Sequence, residues 1–224
     1  MSTELVGLPA RGESRELFVD GAAGRLEALL AMPPGQGALA GVCLACHPHP
    51  LYGGAMSNKV VHALAAAALK AGLAAMRFNF RGVGASQGTF DDARGETDDA
   101  VAVAGWLRTH FPGLPLVLSG FSFGAYVSLK AAAQVHPAAQ VSISIPFGRY
   151  VDQAAPPTHP GCPWLAVHSV DDDVVSWAET RAELLRYQPP PTIVELDGAG
   201  HFYHGRIGEL QDIVLPFLQQ SLRP

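Results

Sequence analysis

The sequence predicts a doubly wound α/β fold, a mostly parallel sheet of about eight strands flanked by helices. Three observations predict it. Short apolar runs recur along the chain without polar alternation, the pattern of strands buried on both faces. Helix-like stretches separate them almost one for one, which implies parallel pairing through crossovers. The chain has 224 residues, 48% of them hydrophobic and 16% charged, enough apolar material for one sizeable core.

The first two elements differ from the rest. Residues 15–19 and 25–32 read as strands separated by the turn-like Asp20-Gly21 and Gly24, and residues 33–37 as a loop. The apolar runs that follow are 41–46, 73–80, 114–121, 140–145, 164–168 and 192–196. Helical stretches fall at 57–71, 96–110, 123–136, 177–187 and 207–222. Ser176 and Glu179 form a capping box that marks one helix start, and Gly72 is placed like the residue just past a helix end. With no internal repeat and no linker, residues 1–224 are expected to form a single domain, residues 1–13 being a candidate flexible lead. The interval 146–163 carries Pro146, Pro156, Pro157, Pro160 and Pro163; it is too short for a lid domain, so none is expected.

Fifteen Lys and Arg against twenty Asp and Glu leave a net charge of -5. No basic surplus exists to neutralise a phosphate backbone, so no nucleic-acid partner is expected. The longest apolar stretch, 60–69, is broken by His62 and stops at Lys70, short of the ~18 residues of a membrane span. Residues 1–16 lack the apolar run of a secretion signal, and the expected compartment is the cytoplasm. Cys43, Cys46 and Cys162 are too sparse for a disulfide scaffold. Cys43 and Cys46 form a C-x-x-C, but inside a strand, where positions three apart point to opposite faces; buried structural thiols are expected.

Gly120-Phe121-Ser122-Phe123-Gly124 fits G-x-S-x-G. In a chain with 24 glycines the pentapeptide alone is weak, but its context is specific. It follows an apolar strand and leads straight into a helix, as a strained serine turn requires. The helix N-terminus then directs backbone N–H groups at developing negative charge. Two partners follow in the required order, each at the end of a later strand. Val167-His168-Ser169 meets Asp171-Asp172-Asp173, and Leu196 meets Asp197-Gly198-Ala199-Gly200-His201. Ser122 is therefore the candidate nucleophile and His201 the candidate base. Asp172 is the best-placed acid, with Asp171 and Asp173 as alternatives.

The order and spacing resemble the α/β-hydrolase superfamily from about residue 15 to residue 222. Longer strings are more specific: His47-Pro48-His49-Pro50-Leu51-Tyr52-Gly53-Gly54, Asn58-Lys59-Val60-Val61 and Arg77-Phe78-Asn79-Phe80-Arg81-Gly82-Val83-Gly84. They are similar to a bacterial group of compact, dienelactone-hydrolase-like serine esterases. The resemblance implies one oxyanion donor at the backbone N–H of Phe123 and a second in the loop after Cys46. There Pro48 and Pro50 have no N–H to give, which points to His49, with Leu51 next. Ser169 stands where such relatives usually have glycine. Position 122 is serine, which excludes the cysteine-type dienelactone hydrolases.

Other features read as structural. Gly82-Val83-Gly84-Ala85-Ser86-Gln87-Gly88 misses the spacing of a dinucleotide loop. Arg81 and the acidic 96–99 segment read as a charge pair near a helix start, and His204 as a rim residue. His47 and His49 lack a third ligand at metal-binding spacing, so neither metal nor cofactor is expected. Leu51, Tyr52, Phe147, Tyr150, Trp177, Phe202 and Tyr203 fall on loops around the site and imply an apolar acyl pocket; Leu51, Tyr52, Phe147, Trp177 and Phe202 are its candidate lining. The expected chemistry is hydrolysis of small or short-chain carboxylic esters through an acyl-enzyme, with a small-molecule partner and a monomer or small homo-oligomer as the acting form. A thioesterase or protein deacylase uses the same triad. A peptidase is disfavoured by the missing accessory domain, and a non-catalytic binding module by the presence of all three triad residues.

Overall fold

The computed structural model describes residues 7–147 and 156–223. In chain order the strands are β1 (Ser14–Gly21), β2 (Gly24–Ala31), β3 (Gly41–Cys46), β4 (Leu73–Phe78), β5 (Leu116–Phe121), β6 (Ala139–Ile143), β7 (Trp164–Ser169) and β8 (Thr192–Leu196). The helices are α1 (Lys59–Lys70), α2 (Arg94–His110), α3 (Phe123–Val135), α4 (Trp177–Leu184) and α5 (Ile207–Ser221). One sheet contains all eight strands in the order β1-β2-β4-β3-β5-β6-β7-β8. β1 and β2 form an antiparallel hairpin, β2 runs antiparallel to β4, and every other pair is parallel. Residue 150, and with it the Tyr150 expectation, lies outside the described residues, as do residues 1–6.

Strands buried on both faces divide their side chains between two cores. Val42, Leu44, Cys46, Met76, Leu118 and Ala166 join the core beneath α2 and α3. Cys43, Ala45, Ala75, Val117 and Val167 join the one beneath α1 and α5. The C-x-x-C is thus split across the sheet, and burial pushes the Cys43 thiol up to about 11 and the Cys46 thiol upward too. Among the described residues, only the β1–β2 hairpin shows alternation: Leu17 and Val19 are buried and Phe18 is exposed.

Several boundaries shift for local reasons. β4 ends at Phe78, two residues short of the predicted run, because the Phe80 N–H leaves the ladder for the His47 ring at 3.0 Å. α1 begins two residues late because Asn58 caps it, accepting the Val60 N–H at 2.9 Å. A single 3-10 turn at Pro50–Tyr52 was not foreseen.

The glycine-rich loop after β4 is a fastener. Ser86 Oγ donates to the Asn79 carbonyl and accepts the Glu27 N–H, while Gln87 takes the Arg25 N–H. Arg81 holds Asp99 through Nε and a terminal nitrogen, at 3.0 and 2.7 Å, with the aspartate fully buried. β3 lies between β4 and β5, so the crossovers leave it in opposite directions. In such sheets the cleft opens at the carboxyl ends of the strands on either side of that switch.

Candidate active site

Ser122 stands at that end, in the turn between β5 and α3. Its φ of 53° is in the left-handed region, an unfavourable conformation for a residue with a Cβ. The turn is held because Ser122 N–H donates to the Ile143 carbonyl of β6 at 2.8 Å and its own carbonyl accepts the Ala125 N–H at 2.8 Å. The flanking glycines have steric reasons. A Cβ on Gly120 would run into the Gly124 carbonyl, and one on Gly124 into the carbonyls of Cys46 and His47. The Phe123 N–H opens the first turn of α3, where backbone donors have no intrahelical acceptor.

Among the three aspartates the geometry separates the roles. Asp172 Oδ2 lies 2.8 Å from His201 Nδ1, and Oδ1 accepts the N–H groups of Val174 and Val175 at 2.9 and 2.7 Å. Burial pushes its pKa up, but the His201 bond and the two backbone donors outweigh it and hold the carboxyl below its usual value. Asp171 instead accepts the Ser169 hydroxyl at 2.6 Å, and Asp173 is exposed.

The loop carrying His201 is clipped at several points. Ala199 N–H donates to Ser169 Oγ at 3.2 Å, so Ser169 ties the loop that carries Asp172 to the loop that carries His201. Tyr203, at φ 52°, shares a 2.9 Å hydrogen bond with Ser144 Oγ and donates to the Val167 carbonyl. His201 is 3% exposed, its ring 5.0 Å from those of Phe121 and Phe202. With Nδ1 on the carboxylate, Nε2 is the nitrogen left to work in the cleft.

The loop after β3 is built from the longest family-like string. His47 Nδ1 bonds the Pro48 carbonyl at 2.6 Å and Nε2 accepts the Phe80 N–H. One ring nitrogen is engaged within the loop and the other by the segment after β4, which leaves neither to a metal. Leu51 N–H donates to His49 Nδ1 at 3.3 Å, so the alternative oxyanion donor is already engaged. The His49 ring packs 4.8 Å from Phe123, bringing the two predicted oxyanion residues together.

A cavity of about 340 Å³ collects these parts. Ser122, His201, Phe123, His49, Tyr52 and Phe202 line it, together with Pro48, Gly53, Gly54, Asn58 and Val174, which sequence reasoning missed. Asn58 and Gly53–Gly54 did lie in the quoted strings, the available signal. Three predicted pocket residues are elsewhere. Leu51 is 67% exposed, Phe147 lines a neighbouring cavity that meets the first at Val174, and Trp177 packs its ring 5.0 Å from His168. His204 is exposed and pairs with Lys59 Nζ at 2.7 Å. The arrangement can activate a hydroxyl toward a carbonyl carbon and meet the resulting negative charge with backbone N–H groups.

Known proteins share this architecture. A family model described as X-Pro dipeptidyl-peptidase (S15 family) matches residues 20–156. A Xanthomonas campestris structure described as an α/β serine hydrolase without lid is 36% identical, with a TM-score of 0.87 over 97% of this chain and 99% of that one. An α/β serine hydrolase homologue from Coxiella burnetii is 37% identical, with a TM-score of 0.85 over 94% and 99%. A Rickettsia prowazekii protein is 29% identical over 91% of this chain and 88% of its own. Fold and relatives agree that the sequence encodes an α/β hydrolase of the serine type, and the chain belongs to the X-Pro dipeptidyl-peptidase (S15) family within the α/β-hydrolase superfamily.

Proposed function

We propose that the protein hydrolyses small or short-chain carboxylic esters through a Ser122–His201–Asp172 triad and an acyl-enzyme. The observation that carries this reading is the 2.8 Å bond from His201 to a buried Asp172, facing the strained Ser122 across one cavity. His201 Nε2 takes the Ser122 proton as Oγ bonds to the ester carbonyl carbon. The oxyanion accepts hydrogen bonds from the Phe123 and His49 backbone N–H groups. When the carbonyl re-forms, the bond to the alcohol oxygen breaks and His201 returns the proton to that oxygen. Water then attacks the acyl-enzyme, with the same proton carried out and back.

Two features of the cavity support this substrate class. Its volume of about 340 Å³ lies at the small end of the ~300–1,000 Å³ range of ligand pockets. Among the described residues, its lining includes no Asp, Glu, Lys or Arg. A dipeptide released from a peptide N-terminus carries an ammonium group that needs an anionic partner, whereas a neutral ester needs none.

The experiment is labelling with a fluorophosphonate probe, comparing wild type with Ser122→Ala and locating the adduct by mass spectrometry. Turnover of p-nitrophenyl acetate through dodecanoate, a thioester and an Xaa-Pro anilide follows. Labelling at Ser122 with fastest turnover of the shortest oxygen esters is expected. Preference for the thioester or the anilide would replace the ester reading, and absence of labelling in folded protein would end the triad reading.

A further inference from the structure

His168 is the penultimate residue of β7, on the sheet face that carries α4, and the chemistry above does not use it. Its ring is buried, 1% exposed. Nε2 stands 3.0 Å from the Val175 carbonyl and 3.4 Å from Asp172 Oδ2. Both neighbours only accept, so Nε2 carries a proton. Nδ1 is buried with no hydrogen-bond partner among the described residues, so a second proton would be an unsatisfied buried donor and the neutral ring is the form that fits. Burial lowers its pKa in the same sense. Asp172 Oδ2 therefore meets two imidazoles, His201 in front and His168 behind.

We propose that His168 is a positioning residue for the triad: its Nε2–H holds the Oδ2 side of Asp172 against the Val175 turn and absorbs part of that oxygen's acceptor strength. This rests on reading Ser122, His201 and Asp172 as the triad. The Nε2–H donates to the Val175 carbonyl and its positive end stands 3.4 Å from Oδ2; a carboxylate oxygen stabilised in that way binds a second donor less strongly. Removing His168 makes Asp172 a stronger acceptor for the His201 imidazolium, so His201 becomes available as a base only at higher pH. It also leaves Oδ2 held on one side, which lowers turnover without touching the substrate cavity. The charged or titratable groups around His168 are Asp172 and His201 in the site, and Glu195, its register partner on β8, which pairs with Arg181 of α4 at 3.5 Å. Tyr203, its phenol pushed up by burial, adjoins through Val167. None of these is altered in the test.

The test is the pH profile of kcat/KM on p-nitrophenyl acetate for wild type, His168→Leu, His168→Gln and His168→Asn, with melting curves for each and Ser122→Ala as control. The Gln amide reaches the position of Nε2, and the shorter Asn amide only that of Nδ1. The acid limb is expected to move up by about half a pH unit in His168→Leu and His168→Asn. Plateau kcat should fall about five-fold at constant KM, and His168→Gln should restore both. If the leucine variant does not fold, the Gln and Asn profiles decide. An acid limb unmoved in the folded variants, or Gln and Asn behaving alike, overturns the proposal. Activity surviving in Ser122→Ala would instead remove the triad reading beneath it.

Discussion

The Nε2 atom of His47 accepts the backbone N–H of Phe80 at 3.0 Å, joining the loop after β3 to the end of β4 through a ring with no solvent contact. Burial lowers the His47 pKa to about 4 from 6.5, against the opposing Pro48 bond. The sign follows from proton counts. Between those values the unfolded chain binds a proton that the folded one refuses, so stability is complete above pH 6.5 and is lost as pH falls toward 4. The whole effect is about 3 kcal/mol, of which about 2 kcal/mol appears between pH 7 and pH 5. His168, also lowered by burial, acts in the same direction. Urea titrations at pH 7 and pH 5 should show the loss. His47→Asn should be less stable at pH 7 but flatter with pH, and an equal slope in both proteins would refute the assignment.

Gly124→Ala tests the elbow's steric logic. The added methyl meets main-chain carbonyls of Cys46 and His47, not the end of a flexible side chain. α3 must then move away from β3, carrying Ser122 and the Phe123 N–H out of register with the loop after β3. A loss of about 3 kcal/mol in stability is expected, with fluorophosphonate labelling suppressed in whatever folds. Ala125→Gly, one position on and inside the same helix, should cost about 1 kcal/mol and leave labelling intact.

The fold was legible because its signals are local. Short apolar runs separated by helix-length stretches admit few arrangements; β3 to β8 lie where the six runs fall, and β1 and β2 lie on the two segments read as strands before them. The quoted strings were legible as strings but not as one assembly. His47 bonds Phe80, Asn79 accepts the Met56 N–H, and Arg77 donates to the Met56 carbonyl, 33, 23 and 21 residues apart, so distant segments lock the same loop. Nothing in the spacing of Asp171, Asp172 and Asp173 says which of them faces His201; the N–H groups of Val174 and Val175 select Asp172 by fixing its Oδ1. Two of the expected pocket aromatics lie elsewhere for a related reason, while Tyr52 and Phe202 do line the cavity. A sequence places Trp177 and Phe147 on the right loops, but side-chain direction depends on packing, and His168 and the neighbouring cavity take them.

Ser169→Ala separates positioning from binding. The hydroxyl accepts from Ala199 N–H and donates to Asp171, so its removal frees the loop before His201, while Ser169 itself does not line the cavity. Stability should fall by about 1–2 kcal/mol, the cost of an unpaired buried donor. Turnover should fall about ten-fold with KM unchanged. A change confined to KM would contradict the assignment of Ser169 to the loop clip.

Asp172→Asn gives the sharpest prediction because the local donors dictate how the amide must sit. Val174 and Val175 both direct N–H groups at Oδ1, so the amide oxygen stays there and the NH2 group takes the place of Oδ2. That group donates to His201 Nδ1, forcing the ring's proton onto Nε2, the nitrogen that must accept from Ser122. It also sets a positive amide end 3.4 Å from His168 Nε2–H, where the carboxylate oxygen had been. A fall of about 10⁴ in kcat is expected, in a protein that still melts cooperatively. Asp171→Asn and Asp173→Asn, whose carboxylates do not reach His201, should stay within about ten-fold of wild type. Steady-state kinetics on one ester with the three variants decides the matter. A deep loss in either flanking variant, with Asp172→Asn active, would move the acid to that neighbour.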